Sequence, residues 1–238
     1  MERPEVNDPG QVVAAATERI AARPGDDAAH EARARALLTL DRLEEAEADA
    51  MDAVRLDPEE VRYRELLAEI QSRRGEHADA AAEYARLAQR DPRQVAWTVA
   101  EAAERIEGSD AAKAVEAARR AVRLEPGNFD AQLSLARGLV HLGDAAGALP
   151  AAKRASDLRP ADRAGRETLA DALWLAGHEA DAFHEFRTLA QEYSGDDCTR
   201  VVAKARTLYR AQAGWFGRLV ASLPVFAVAF RRGWLDVR

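Results

Sequence analysis

Four short stretches end in proline at equal intervals: AVRLDP at 53–58, LAQRDP at 87–92, AVRLEP at 121–126 and ASDLRP at 155–160. With RIAARP at 19–24, five prolines are separated each time by 34 residues. Proline cannot continue a helix, because it lacks an amide hydrogen and its ring clashes with the preceding turn. A helix should therefore end before each proline, and a fixed period of this length indicates a repeat protein.

Small residues keep the same phase as the prolines. With each proline counted as position 32, position 8 holds Ala34, Ala68, Ala102, Ala136 and Ala170, and position 20 holds Ala46, Ala80, Ala114, Ala148 and Ala182. An alanine side chain lets two helices approach closely, so these are the expected crossing points of paired helices. Position 15 is glycine in three periods, and glycine can adopt the left-handed conformation that ends a helix.

The composition also indicates an all-α protein. Of 238 residues, 47% are hydrophobic but only 6% are aromatic, and 54 alanines, the strongest helix formers, account for the difference. The single cysteine, Cys198, cannot form an internal disulfide, which is typical of a reducing compartment. Residues 1–11 lack the apolar stretch of a signal peptide, so we expect a flexible N-terminus and a cytoplasmic location.

This 34-residue pattern resembles the tetratricopeptide repeat (TPR) family, in which small residues lie where two helices cross and proline ends the second helix. The resemblance implies an all-α, right-handed αα-superhelix of about five repeats with extra flanking helices. It places repeats at 27–60, 61–94, 95–128, 129–162 and 163–196, within a solenoid covering 12–212. A lone helix from about Val12 to Arg23 precedes the repeats, and a closing helix at 198–212 follows them.

Two features depart from the family pattern. Position 4 lacks the bulky aromatic side chain that is frequent there and holds His30, Arg64, Thr98, Gln132 and Arg166. The third repeat places Glu101 and Arg105 at positions 7 and 11, where leucine is expected. This second departure indicates either a rotated first helix or a thinner core in that repeat.

The resemblance also implies a binding surface, because the first helices of stacked repeats line a concave groove. The positions that face this groove in the family predict mixed charge in the first half and a largely apolar second half, which Val201 and Tyr209 of the closing helix would extend. An amphipathic helix or an extended peptide with apolar anchors near Trp174 is then the expected ligand, unless Trp174 and Ile106 are core residues. The predicted partner-binding residues are Arg35, Glu65, Glu69, Arg73, Leu133, Arg137, His141 and Trp174.

No pattern of catalytic, metal-binding or cofactor-binding residues stands out. The stretch HEADAFH at 178–184 differs from the zinc motif HExxH, because its fifth residue is Ala182. No glycine-rich loop is followed by the Lys-Ser or Lys-Thr of a phosphate-binding loop. A net charge of −7 argues against nucleic acid. We predict a non-catalytic scaffold or adaptor that binds a protein or peptide, with no metal and no cofactor.

The C-terminal segment 213–238 differs from the rest of the chain. It carries four arginines against one aspartate, and it holds Trp215, Phe216, Phe226, Phe230 and Trp234. The apolar stretch at 215–230 is shorter than the roughly 20 residues that a membrane-spanning helix needs. Three roles remain open: a cap over the end of the solenoid, attachment to a membrane surface, or docking of a partner or a second copy. The second would make a membrane-peripheral assembly factor, and the third would allow a homo-oligomer.

Overall fold

The computed structural model describes residues 8–212, 221–222 and 226–232, and within these ranges all regular structure is helical. The helices are α1 (Pro9–Ala22), α2 (Asp27–Thr39), α3 (Leu43–Leu56), α4 (Val61–Arg73), α5 (His77–Arg90), α6 (Val95–Glu107), α7 (Ala111–Leu124), α8 (Phe129–His141), α9 (Ala145–Leu158), α10 (Arg163–Leu175), α11 (Glu179–Glu192), α12 (Gly195–Gln212) and α13 (Phe226–Arg231). None of these helices is long and apolar enough to cross a membrane.

The helices form two compact units, Met1–Asp110 and Ala111–Arg238. In the first unit, each helix from α1 to α6 packs against the next one along the chain. In the second unit, α7 to α12 pack in the same way, and α8 also contacts α10. The predicted all-α architecture of consecutive helix pairs is therefore confirmed, and the division into units falls inside the repeat expected at 95–128.

The 34-residue period sets the helix boundaries. The helices α1, α3, α5, α7 and α9 each end two residues before one of the five prolines, and α2, α4, α6, α8 and α10 begin at the first positions of the five repeats. The first helix begins at Pro9, earlier than the expected Val12, because the Asp8 side chain accepts a hydrogen bond from the Gly10 amide and caps it. The last long helix also begins earlier than predicted, at Gly195.

The crossing points and the turns follow the same period. The alanines at positions 8 and 20 are fully buried in all five repeats. Position 15 has a positive φ in every repeat, including the two where it is not glycine, Asp41 at 58° and Ser109 at 61°. The next amide in the chain then bonds back to the carbonyl of position 11, as Glu76 does to Gln71 at 2.8 Å. These bonds satisfy a helix end that would otherwise lack partners.

Polar pairs occupy the place of the missing aromatic side chain at position 4. Arg64 Nη1 lies 2.7 Å from Glu83 Oε2, 19 residues later on the second helix of the same repeat. His30 and Asp49 stand in the same relation, with their atoms Nδ1 and Oδ1 3.0 Å apart. Each pair lies in the first unit and joins the two helices of one repeat.

In the fourth repeat, the residue at position 4 makes a different kind of hydrogen bond. The residue 19 positions after Gln132 is Ala151, which offers no polar side chain. Gln132 Nε2 instead donates to the carbonyl of Pro126 at 3.0 Å. His30 Nε2 lies 3.3 Å from the carbonyl of Pro24, the equivalent proline. Position 4 can therefore tie a first helix either to its own second helix or to the proline turn before it.

The third repeat accommodates its two charged core residues as an ion pair. Glu101 is only 4% exposed, and its Oε1 accepts a hydrogen bond from Arg105 Nε at 3.0 Å. A second arginine nitrogen lies 3.8 Å from Asp110. Because the two residues are one turn apart on α6, each compensates the charge of the other where leucines were expected.

The short helix α13 covers α11 and α12. Phe226 and Phe230 are fully buried, with ring centroids 5.6 Å from Tyr209 and 4.8 Å from Phe183, respectively. Gln191 Nε2 also donates to the carbonyl of Arg231 at 2.6 Å. This part of the C-terminal segment is thus placed as a cap.

Of the three roles left open for the C-terminal segment, the burial of Phe226 and Phe230 favours the cap over docking or membrane attachment by these two side chains. Their rings belong to the core of the second unit, where they gain more by burial against aromatic neighbours than they would at a surface. The companion predictions for Trp215, Phe216 and Trp234 lie outside the described residues.

Candidate functional site

The helices α8, α10 and α12 of the second unit surround a cavity of about 550 Å³. Two of them are first helices of repeats and the third is the closing helix, so the cavity lies on the helices that the repeat pattern assigns to the groove. Its lining residues are Arg137, Val140, His141, Arg163, Ala164, Glu167, Thr168, Asp171, Tyr193, Asp197, Arg200 and Lys204. We refer to it as the α8–α10–α12 cavity.

An ion-pair network links α10 to α12 within this cavity. Glu167 Oε1 accepts hydrogen bonds from Arg200 Nη1 at 3.0 Å and from Lys204 Nζ at 2.9 Å. Lys204 Nζ also donates to Asp171 Oδ2 at 2.6 Å. The two carboxylates are one turn apart on α10, so a single lysine bridges both. Such charge-assisted bonds hold two helices in a fixed relation.

Burial disfavours the charged form of the Asp171 carboxyl. Burial raises the pKa of Asp171, the positive charge and hydrogen bond of Lys204 oppose this shift, and the nearby negative charge of Glu167 adds to it. The ionised form of Asp171 therefore depends on Lys204 remaining in place.

Cationic side chains dominate the rest of the cavity. The guanidinium of Arg163 lies 5.0 Å from the centre of the Tyr193 ring, and the tyrosine hydroxyl donates to the Arg163 carbonyl at 3.4 Å. Arg137 and His141 line the cavity from consecutive turns of α8. The lining as a whole has four arginines or lysines against three carboxylates. Arg200 and Lys204 pair with all three carboxylates, so the lining carries a small formal excess of positive charge.

The structure brings some predicted groove residues into this cavity and leaves others out. Arg137 and His141 line it. Leu133 is half-buried and is not among the lining residues. Trp174 is half-buried and packs edge-on against Phe186, with ring centroids 6.4 Å apart and an interplanar angle of 88°. Trp174 therefore contributes to the core cluster of the second unit.

The α8–α10–α12 cavity is less apolar than the second half of the groove was expected to be. Ile106 and Val201 are buried in their units, and Tyr209 stacks on Phe183 at 5.8 Å. Apolar residues at these positions turn toward neighbouring helices, because burial removes their surface from water. Charged side chains of α10 and α12 line the cavity in their place.

Sequence reasoning missed Glu167, Asp171 and Lys204. Glu167 and Asp171 stand at positions 5 and 9 of the fifth repeat, so the positional rule that selected Arg137 could have found them. Lys204 stands at a different position of the closing helix and lies 33 residues from Asp171. That contact depends on how α12 packs, and no spacing rule indicates it.

The predicted residues of the first unit lie exposed on α2 and α4. Arg35 Nε donates to Glu31 Oε1 at 2.9 Å, within the same helix. Glu65 Oε1 accepts a hydrogen bond from Trp97 Nε1 at 2.7 Å. Glu69 and Arg73 are exposed one turn apart. These positions carry the expected mixed charge, and their contact with a partner stays a prediction.

A histidine–carboxylate cluster lies in the first unit. Ligand-type atoms of His30, Asp49 and Asp52 fall within 4.8 Å of one another. Asp49 already accepts hydrogen bonds from Arg33 Nε at 2.6 Å and Nη2 at 2.7 Å, besides its contact with His30. The positive charge of Arg33 compensates the buried carboxylate, so the arrangement serves to join α2 to α3.

No protein-family model matches the chain, and no curated protein does. Solved structures do match. A tetratricopeptide repeat protein from Parabacteroides merdae superposes with a TM-score of 0.65 and 14% identity, over 92% of this chain and 88% of that one. YrrB, described as a TPR protein with an unusual peptide-binding site, gives 0.53 and 18% identity, over 88% of this chain and 98% of its own.

Yeast Tom70 gives a TM-score of 0.58 at 17% identity. The match covers 97% of this chain but only 47% of Tom70. At such identities the likeness shows the fold alone. The chain therefore has the tetratricopeptide repeat fold, as the 34-residue pattern predicts.

Proposed function

We propose that this protein with the TPR fold is a non-catalytic interaction scaffold, which holds a peptide segment of a partner protein in the α8–α10–α12 cavity. The observation that supports this function is that the three helices α8, α10 and α12 together line one cavity of about 550 Å³. Ligand sites typically measure roughly 300–1,000 Å³. Side chains carried on packed helices are held more rigidly than side chains on loops, which suits them to recognition.

The charges of the cavity indicate what the partner segment carries. Arg137 and Arg163 lie on α8 and α10, away from the lysine that joins Glu167 and Asp171. An extended peptide with acidic side chains would pair with Arg163. Pairing of arginine with carboxylate gives directional, bidentate contacts, which makes it a source of specificity.

The fold supports this class of function. YrrB, which shares it, is described as having a peptide-binding site. A cytoplasmic location belongs to the same proposal. The alternatives of membrane attachment or self-assembly through the C-terminal segment gain no support from Phe226 and Phe230, which are buried in the chain itself.

A peptide-display selection on the full-length protein tests the proposal. Ala164 is exposed and lines the cavity from α10, so Ala164→Trp fills the cavity without entering the core. The matched control is Ala146→Trp, at an exposed alanine of α9, outside the cavity. We expect selected peptides to be enriched in aspartate and glutamate, and to bind Ala164→Trp at least tenfold more weakly than the wild type and the control. Peptides that bind all three proteins equally would refute the proposed site.

A further inference from the structure

A second cavity lies at the C-terminal end of the second unit, between α12 and the capping helix α13. This α12–α13 cleft measures about 650 Å³. Its floor and walls include Cys198, Val202 and Ala203 of α12 together with Ala227 and Val228 of α13. Val228 is 51% exposed, so an apolar side chain of the cap faces the open cleft.

The charged side chains that line the cleft in the described part of the chain are all positive. Arg206, Arg231 and Arg232 line it, and none of the lining residues in the described part of the chain is acidic. The whole chain, by contrast, carries a net charge of −7. Positively charged side chains beside apolar surface are complementary to a ligand with an apolar body and an anionic group.

Arg206 gives an independent indication of a missing partner. Its Nε is buried and finds no hydrogen-bond partner among the described residues. Its guanidinium lies 5.2 Å from the centre of the Phe226 ring, so the charge rests against an aromatic face. Buried polar groups of folded proteins usually have partners, so this nitrogen is an exception beside the cleft, which the other guanidinium nitrogens of Arg206 help to line.

The size of the cleft favours a small molecule over a protein as its ligand. From Cys198 to Arg206 the wall runs for about 12 Å, at 1.5 Å per residue. A stable protein interface buries roughly 800 Å² on each side, which a six-residue helix and two turns of α12 do not offer. The volume of about 650 Å³ instead falls within the range of small-ligand sites.

We propose that the α12–α13 cleft binds a medium-chain fatty acid, with its alkyl chain along Val202 and Val228 and its carboxylate at the guanidinium groups of Arg206 and Arg231. Gln191 Nε2 donates to the Arg231 carbonyl at 2.6 Å, which holds the backbone of this residue in place beside the cleft. This site is separate from the α8–α10–α12 cavity and does not depend on peptide binding there.

Alkylation of Cys198 in the full-length protein provides the test, because this sole cysteine lies in the cleft and is half-buried. The probes are dodecanoate, kept below its micelle concentration, and dodecanol, which shares the chain but lacks the charge. We expect saturating dodecanoate to slow the reaction of Cys198 with iodoacetamide at least fivefold, and dodecanol to have a much smaller effect. An unchanged rate with dodecanoate, or equal protection by dodecanol, would overturn the proposal.

Calorimetric titration of variants locates the binding. We expect Arg231→Glu to weaken dodecanoate binding about tenfold, and the matched control Arg154→Glu, at an exposed arginine of α9, to bind as the wild type does. Ala203→Trp, at an exposed position of the cleft, should abolish binding while circular dichroism stays unchanged. Equal weakening by both arginine variants would overturn the site.

Related measurements distinguish two other possible occupants of the cleft, a membrane surface and a second copy of the chain. Binding to phosphatidylglycerol vesicles without any protection by dodecanoate would overturn the proposal in favour of a membrane surface. Protection of Cys198 that rises with protein concentration, with no ligand present, would overturn it in favour of a second copy of the chain.

Discussion

Arg64 Nη1 lies 2.7 Å from Glu83 Oε2, and this contact fastens the first helix of a repeat to the second. Both side chains are largely buried, with exposures of 20% and 9%. Buried charges are costly without partners, so this pair specifies which faces of α4 and α5 meet as well as holding them together. His30 and Asp49 perform the same task between α2 and α3.

Removal of one member of this pair should strongly destabilise the first unit. We expect Glu83→Ala to lower the free energy of unfolding of the first unit by about 3–5 kcal/mol, because Arg64 stays buried without its partner. The double variant Arg64→Met/Glu83→Leu should recover most of this loss. Urea denaturation measures both. The control is Arg42→Ala, which breaks an exposed pair with Glu45 and should cost less than about 1 kcal/mol. A loss from Glu83→Ala no greater than that of the control would show that the pair contributes little.

Replacement of Ser109 by glycine should stabilise the protein. Ser109 has φ 61° at position 15, where three of the other four repeats have glycine. The left-handed conformation costs a residue with a Cβ roughly 1–2 kcal/mol. We therefore expect Ser109→Gly to raise the melting temperature and Gly75→Ala, at φ 78°, to lower it. A lower melting temperature for Ser109→Gly would contradict this interpretation of the turn.

The pH dependence of stability should report the environment of Asp171. Because burial raises the pKa of Asp171 in the folded state, that state holds the proton more tightly than the unfolded chain does. The stability contributed by this group is then largest below the unfolded pKa of about 3.9 and falls as the pH rises through the folded pKa. We expect the wild type to lose stability relative to Asp171→Asn over that range, as measured by urea denaturation.

The exposed Asp157→Asn provides the reference for this pH series, and its difference from the wild type should vary little. A wild-type advantage over Asp171→Asn that grows with pH would mean that pairing with Lys204 outweighs burial.

The cap should stabilise the second unit. Phe230 is fully buried and lies 4.8 Å from Phe183, so we expect Phe230→Ala to cost about 3–5 kcal/mol through lost contacts and a cavity. Val228→Ala, on the exposed face of the same helix, should change stability by less than about 0.5 kcal/mol. Hydrogen exchange of α11 and α12 measures the effect. If exchange there stays as slow in Phe230→Ala as in Val228→Ala, the aromatic contacts do not hold the cap.

The helix boundaries could be predicted because they depend on local chemistry repeated with a fixed period. Pro58 follows the end of α3, and Gly75, with a positive φ, reverses the chain after α4. Ala68 and Ala80 mark a helix crossing, because both are fully buried and a small side chain lets two helices approach closely. These features let one sequence place ten helices in phase.

The site could be predicted only in part, because helical periodicity does not distinguish a groove residue from a core residue. Trp174 and Arg137 both stand at groove positions, yet the indole packs on Phe186 and only the arginine lines the cavity. Lys204 and Asp171 are 33 residues apart in the sequence, and their contact arises from the packing of α12 against α10. Phe230 is buried because it packs against Phe183 of α11. The amino-acid composition of the C-terminal segment does not show which helices it packs on.

Hydrogen–deuterium exchange with and without a selected acidic peptide tests the central claim most directly. If the α8–α10–α12 cavity binds the peptide, exchange in the full-length protein should slow in the segments 129–141, 163–175 and 195–212, and this effect should vanish in Ala164→Trp. Slowed exchange confined to α9, α11 or the first unit would contradict the claim, because the peptide would then bind away from the cavity.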